Sequence, residues 1–245
     1  FLVMAESRDL PAMIGVGKHG RGTVVLAPIG NYNYDRNVGE DLVAHQTLAT
    51  VVNAAGVHRV ARVTDADTGL PANGVWCAGW RAGAQRYIVV TRDWQLGDRA
   101  PARVRIELDE PGHAYEMRSG DYLGEIGVIP AELEVARGKV YAILPYRVEG
   151  LAADIRGEAV PGSDLICRLQ VQTDGRVGSD DVHLARCRVA GPDGEEVVCL
   201  RRNVELRGGR GTLRIPIAYD DAPGEWTVSL QLEGCGADSV VTYSL

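Results

Sequence analysis

Hydrophobic and polar residues alternate with a period of two along most of the chain from Arg59 onwards. The segment Ala102 to Leu108 has apolar residues at every second position and Arg or Glu between most of them. Because successive side chains of a strand point to opposite faces, this pattern predicts a half-buried antiparallel strand. Similar patterns predict a β-sandwich domain over residues 58–148. Its later strands are expected at 114–117, 122–126, 132–135 and 140–144.

The pattern restarts after the segment Pro145 to Gly150 and predicts about seven more strands. That number fits an immunoglobulin-type sandwich of about 100 residues, so we predict an immunoglobulin-like domain over residues 149–245. Two of its strands alternate so regularly that their inward-facing residues can be named in advance. They are Leu213, Ile215 and Ile217 in one strand, and Trp226, Val228, Leu230 and Leu232 in the other.

The first 57 residues have a different pattern. The apolar run Thr23 to Ala27 is typical of a strand in a parallel sheet, and the apolar spacing of residues 39–56 predicts an amphipathic helix. The loop Gly15 to Gly20 matches the dinucleotide-binding pattern G-x-G-x-x-G. A strand follows this loop where that site requires a helix, so we predict a plain hairpin or entry turn. The expected fold is mainly β: two tandem antiparallel β-sandwich domains preceded by a partial α/β segment over residues 1–57.

Charge and hydropathy exclude two classes of partner. The net charge is -7 and the pI is about 5.3, whereas a nucleic-acid or anionic-membrane surface needs clustered basic residues. The longest apolar runs fall far below the roughly 20 residues of a membrane-spanning helix. We therefore expect neither a nucleic acid nor a membrane as a partner.

No motif of a catalytic or metal site is evident. The five cysteines lack C-x-x-C spacing and the five histidines lack ligand spacing, so we predict no catalytic residue, no metal and no cofactor. Cys187 and Cys199 flank a turn symmetrically, which leaves a cross-strand disulfide open. Adjacent acidic pairs lie beside predicted turns and are expected to be solvated. These pairs are Asp109-Glu110, Asp180-Asp181, Glu195-Glu196 and Asp220-Asp221.

Aromatic residues supply the positive indication of function. Trp76 and Trp80 are four residues apart on a predicted strand and therefore share a face, and Tyr87 and Trp94 are near in sequence. Exposed rings of this kind can stack on sugar rings, because they combine a large apolar face with a polar group. The chain has a single Phe, however, so the favoured interpretation is that these aromatic residues fill the core, and a carbohydrate-binding surface is the competing hypothesis.

Several segments resemble a known enzyme family. The stretch Gly20 to Leu26, followed by the predicted helix Asp41 to Gly56, resembles the last strand and helix of the glutamine-amidotransferase-like trimerisation domain in bacterial β-galactosidase-like glycoside hydrolases. Val63 to Val90 looks like the small β domain that follows. Val140 to Tyr146 and Ala222 to Val228 look like motifs of appended sandwiches in such multidomain hydrolases.

The resemblance implies a C-terminal accessory region without its own active site. Its partners would be an upstream catalytic domain of the same polypeptide, carbohydrate, and further copies of the chain in a homo-oligomer. The start at Phe1 leads us to expect that the chain was cut from a longer protein. Two alternatives stay open: a free-standing tandem β-sandwich surface or adhesion module, and a small glycan-binding protein.

Overall fold

The structure is a computed structural model that describes residues 2–6, 11–20, 22–26, 60–72, 74–93 and 99–245. The chain divides into two compact units, Phe1–Arg59 and Val60–Leu245. The described part is mainly β. Among the described residues, no helix has the length and apolar character needed to cross a bilayer.

The first unit contains an antiparallel sheet in the order β1-β2-β3. Its strands are β1 (Leu2–Glu6), β2 (Pro11–His19) and β3 (Gly22–Leu26). The G-x-G-x-x-G segment is a hairpin in which His19 pairs with Gly22, as predicted. The parallel arrangement expected for β3 is wrong among the described residues, since β3 pairs antiparallel with β2. The helix predicted at 39–56 lies outside the described residues.

The second unit begins with a sheet that we call the first sheet. Within the described residues its path is β4-β7-β9-β6-β5, and β8 pairs with the other side of β7. Strand β5 is therefore an edge strand. The bounds are β4 Ala61–Asp65, β5 Val75–Ala82, β6 Gln85–Arg92, β7 Ala102–Glu116, β8 Asp121–Leu133 and β9 Lys139–Leu144.

Strands β7 and β8 are longer than predicted. The sequence analysis predicted separate strands at 102–108 and 114–117, but β7 runs through both and stays paired with β8 on either side of Pro111, with a shift in register between Glu107 and Gly112. Proline lacks an N–H, and such an irregularity is one of the places where a sheet tolerates it. Asp109 lies in this irregular stretch, and its Oδ1 forms an ion pair with Arg86 Nη1 at 2.8 Å. The carboxylate thereby compensates a nearly buried guanidinium.

The remaining strands form what we call the barrel. Its order among the described residues is β10-β11-β14-β13-β12-β15-β16, and the two edge strands β10 and β16 contact each other, so the sheet is nearly closed. The bounds are β10 Val148–Arg156, β11 Asp164–Thr173, β12 Val182–Ala190, β13 Arg202–Arg207, β14 Arg210–Pro216, β15 Glu225–Leu232 and β16 Asp238–Ser244, with a 3-10 turn at Val198–Leu200.

The interior of the barrel follows the predicted alternation. Every inward-facing residue named from the sequence is buried, from Leu213 to Leu232. Cys187 is also buried in this core, whereas the 3-10 turn places Cys199 on the surface. Both thiols are free, so the disulfide option is wrong. The turn diverts the chain after Glu196 and separates the two side chains.

The first sheet and the barrel share a hydrophobic core within the second unit. Tyr115 and Leu144 of the first sheet belong to the same buried cluster as the barrel interior, together with Tyr146 of the connection. The Val148 N–H donates to the Tyr115 hydroxyl at 2.8 Å. Strand β9 ends at Leu144 and β10 begins at Val148. The division into domains 58–148 and 149–245 itself stays a prediction.

Candidate functional site

Three of the predicted aromatic residues, Trp76, Trp80 and Tyr87, lie on the β5–β6 hairpin at the edge of the first sheet. Directly opposed residues of an antiparallel pair share a face, and the register places Trp80 opposite Tyr87 and Trp76 opposite Thr91. A two-residue turn sets this register, and its Gly83 has a φ of +63°. Glycine adopts that left-handed conformation without the penalty of a side chain.

Trp76, Trp80 and Tyr87 form what we call the aromatic face. The rings of Trp80 and Tyr87 stack with centroids 5.6 Å apart and an interplanar angle of 14°. Trp76 is 49% exposed and Trp80 is 46% exposed. These two indoles therefore do not fill the core, and the favoured interpretation is wrong for both of them. Trp94 lies outside the described residues.

Neighbouring residues hold both the hydroxyl and the ring of Tyr87 in place. Its hydroxyl donates to Gln85 Oε1 at 3.1 Å, and its ring packs at the edge of the shared core. Burial, with smaller contributions from Cys235 and Asp181, raises the pKa of the phenol to about 12. The phenol is therefore neutral at physiological pH and keeps its donor. Because the Tyr87 ring is held in this way, the Trp80 indole that stacks on it has one preferred orientation. Little side-chain entropy of Trp80 is then lost when a ligand binds.

Beneath the aromatic face, four buried polar residues connect the hairpin to the barrel. We call Gln85, Tyr146, Asp181 and His183 the junction cluster. Asp181 Oδ1 accepts the Ala84 N–H at 2.8 Å. The Val182 N–H donates to Gln85 Oε1 at 3.2 Å. Each bond joins the turn of the first sheet to the barrel segment that leads into β12.

The orientation of the Gln85 amide settles the proton arrangement in this cluster. Since Oε1 accepts from Val182 and Tyr87, Nε2 faces the Tyr146 hydroxyl at 3.1 Å and His183 Nε2 at 3.2 Å. The amide nitrogen can only donate, so His183 Nε2 accepts. Burial lowers the pKa of His183 more than Asp181 raises it. The acceptor role of Nε2 and the lowered pKa both describe a neutral imidazole.

The junction cluster combines amide, phenol, carboxylate and imidazole groups, as many active sites do, but its side chains are as inaccessible to solvent as core residues. Gln85, Asp181, His183 and Tyr146 are all at most 5% exposed, and each makes hydrogen bonds within the protein. A substrate would have no route to these groups in this conformation. The arrangement therefore acts as a fixed connection between the first sheet and the barrel.

Sequence reasoning placed Trp76 and Trp80 on one face of a strand but missed the junction cluster. Asp181 was expected to be a solvated turn residue, and this is wrong, because it is 1% exposed and its carboxylate caps two backbone N–H groups, those of Ala84 and Gly178. Gln85 and His183 are 98 positions apart, and no local pattern links them. The polar residue Gln85 directly after a tight turn gave no signal of its burial.

Comparisons with known proteins add little to this picture. No family model matches the chain, and no curated protein matches it either. Among solved structures, the β-glucuronidase of Bacteroides uniformis aligns with a TM-score of 0.27 and 11% identity. The alignment covers 77% of this chain and 32% of that chain, about a third of its length. At this TM-score the match does not establish a shared fold, and no argument rests on it.

Proposed function

We propose that this chain is a non-catalytic accessory region of a carbohydrate-active enzyme and that its aromatic face binds carbohydrate. One observation carries the proposal: the half-exposed indoles of Trp76 and Trp80 share one face of the edge strand β5, and the Trp80 ring stacks on Tyr87 of the neighbouring strand β6. Large exposed indoles are costly to leave in water, since burying an aromatic side chain contributes roughly 1.5–3 kcal/mol. A sugar ring offers C–H groups to the indole and hydroxyls to the solvent.

We also propose that the enzyme is a glycoside hydrolase of the β-galactosidase type, the family that the sequence resembles. The chain would then position substrate for a catalytic domain elsewhere in the same polypeptide, as a scaffold and as a contact within a homo-oligomer. Its shared core and junction cluster suit that role, because they make the first sheet and the barrel one unit. We further infer that the two sheets correspond to the two predicted sandwich domains. The seven barrel strands equal the number in an immunoglobulin-type domain.

Binding is tested by titrating the chain with soluble polysaccharides while tryptophan fluorescence is followed. Suitable probes are cello-oligosaccharides, galactan and polygalacturonate. A change that saturates, and that weakens roughly tenfold in Trp80→Ala, is expected, because about 1.4 kcal/mol of stacking corresponds to that factor. Tyr219→Ala is the matched control, since Tyr219 is an 86% exposed aromatic residue outside the aromatic face. Equal affinity in both variants, or no response to any probe, would overturn the proposal.

The non-catalytic part is tested separately. Purified chain should release no product from aryl galactosides or aryl glucuronides. Sustained turnover that follows the chain through purification would show an active site of its own and remove the accessory role.

A further inference from the structure

Strand β5 is an edge of the first sheet whose backbone is open to solvent. Residues 76–81 of this strand are all exposed. Gly79 lies in the middle of them and has no side chain, so its exposed surface is backbone. A Cβ added to Gly79 would lie 2.7 Å from Val60 Cβ. One face of the strand is therefore covered at this position, while the edge of the strand is not.

The register of the β5–β6 hairpin shows which backbone groups of β5 are unpaired. The Asp93 N–H donates to the Gly74 carbonyl at 2.8 Å, and hydrogen-bonded pairs recur at every second residue of an antiparallel ladder. The even-numbered residues of β5 therefore direct their N–H and C=O groups to β6. The odd-numbered residues, from Val75 to Arg81, direct theirs to the open edge, where these groups make no hydrogen bond with any described residue.

The other sheet edges of the second unit are covered or blocked. On β4, the Asp65 N–H donates to the Leu70 carbonyl at 2.8 Å, so the following segment covers that edge. Strand β8 contains Pro130, which has no N–H to offer, and the edge strands β10 and β16 contact each other. Proteins commonly protect sheet edges in these ways. Strand β5 has no proline and no lysine, and its single charged residue, Arg81, lies next to its end.

The sequence of β5 suits antiparallel pairing with a second copy of itself. With a twofold axis at Ala78, each Trp76 lies opposite the partner's Trp80, and aromatic pairs of this kind stabilise neighbouring strands. The two Ala78 residues meet at the axis, where a small side chain leaves room for the indoles on either side. Each Arg81 lies opposite the partner's Val75, so no like charges are opposed. In this register every odd-numbered residue faces an odd-numbered residue, which pairs the open N–H and C=O groups with each other.

We propose that two copies of this chain pair their β5 strands antiparallel about a twofold axis at Ala78 and so form one continuous sheet. A contact of this kind is closed, because both copies use the same surface. The inference rests on the proposed function in naming the contact of the homo-oligomer. It also joins the aromatic faces of the two copies into one longer row for a polysaccharide, but the pairing itself needs no carbohydrate.

The first test is the molar mass of the intact chain, measured by light scattering during size-exclusion chromatography at several concentrations. The expected mass is twice the 26.4 kDa of one chain. Cys77→Pro should raise the dissociation constant at least about tenfold, since it removes one hydrogen bond of the dimer at each of two symmetric positions. It removes none from the monomer, because the Cys77 N–H faces the open edge. Cys77→Ala is the matched control and should stay dimeric.

The second test addresses the register. Directly opposed residues of a non-hydrogen-bonded pair have Cα atoms about 4.5 Å apart, within the range of a disulfide. Ala78→Cys in the Cys77→Ala background should therefore form a disulfide-linked dimer on mild oxidation, seen on a non-reducing gel. Tyr219→Cys in the same background is the control. Tyr219 is 86% exposed but lies outside β5, so this variant should not cross-link.

The outcomes separate this proposal from carbohydrate binding. A mass of one chain at every concentration up to about 1 mM overturns the dimer, whatever the response of Trp80 to polysaccharides. Equal dissociation constants for Cys77→Pro and Cys77→Ala overturn the β5 contact, and a dimer in which Ala78→Cys does not cross-link overturns the axis at Ala78. If Cys77→Pro does not fold, the cross-link alone decides. A cross-linked dimer that binds no polysaccharide supports the contact and rejects the carbohydrate function.

Discussion

Removing one hydroxyl from the junction cluster should measurably destabilise the second unit. The Tyr146 hydroxyl accepts from Gln85 Nε2 at 3.1 Å and lies 2.9 Å from His183 Nε2. Tyr146→Phe keeps the ring and opens no large cavity. It does leave two buried polar groups with one partner fewer each, since Gln85 is fully buried and His183 is 5% exposed.

The expected cost follows from these contacts. A net hydrogen bond contributes about 1 kcal/mol, and a buried group that loses its partner adds about 1–3 kcal/mol. Gln85 Nε2 and His183 Nε2 lie 3.2 Å apart and stay hydrogen-bonded to each other in the variant. The loss of stability should therefore lie near the lower end of the summed range. We expect Tyr146→Phe to lower the free energy of unfolding by about 2 kcal/mol.

The assay is urea unfolding at pH 7.5, followed by far-ultraviolet circular dichroism. With a slope of about 2 kcal/mol per molar urea, the midpoint should fall by roughly 1 M. Tyr219→Phe is the control, because this exposed tyrosine should change stability by less than about 0.5 kcal/mol. If the two variants unfold at the same urea concentration, the junction cluster does not hold the sheets together and the reasoning is wrong.

Three further predictions concern the same unit. Burial lowers the pKa of His183 below 6.5, so below that pH the unfolded chain binds a proton that the folded chain does not. The free energy of unfolding should therefore fall as pH drops below about 6.5, by at most about 1.4 kcal/mol per pH unit. His183→Gln should flatten that dependence in urea titrations at several pH values. Gly83→Ala should cost more stability than Gly69→Ala, because both have positive φ but only the first would collide with Asp181, and equal midpoints would contradict this. Labelling followed by peptide mass spectrometry should find Cys199 modified in the native protein while the buried thiols react only after unfolding; an unreactive Cys199 would contradict its placement.

Features with a local cause were predictable from the sequence. The inward residues of β14 and β15, from Leu213 to Leu232, follow from the two-residue period alone, because any other register would expose them. The shared face of Trp76 and Trp80 has the same origin. The two-residue turn Gly83–Ala84 then places Tyr87 opposite Trp80, and this pairing depends on no contact with distant residues.

Features that depend on distant residues or on the choice between local alternatives were not predictable. Pro111 and Gly112 favour a turn and an irregular strand equally well, and only the pairing of β7 with β8 decides between them. Asp181 resembles a solvated turn residue until the β5–β6 turn packs over it and donates the Ala84 N–H.

The most direct test of the carbohydrate proposal is the indole region of a nitrogen-15 NMR spectrum during titration with a soluble polysaccharide. The chain has four tryptophans, and Trp226 is an internal reference, since it is buried in the barrel and its Nε1–H donates to the Ala222 carbonyl at 3.0 Å. We predict that the Trp80 signal shifts and saturates while the Trp226 signal stays in place. A Trp80 signal that moves no further than that of Trp226 with any polysaccharide would contradict the account.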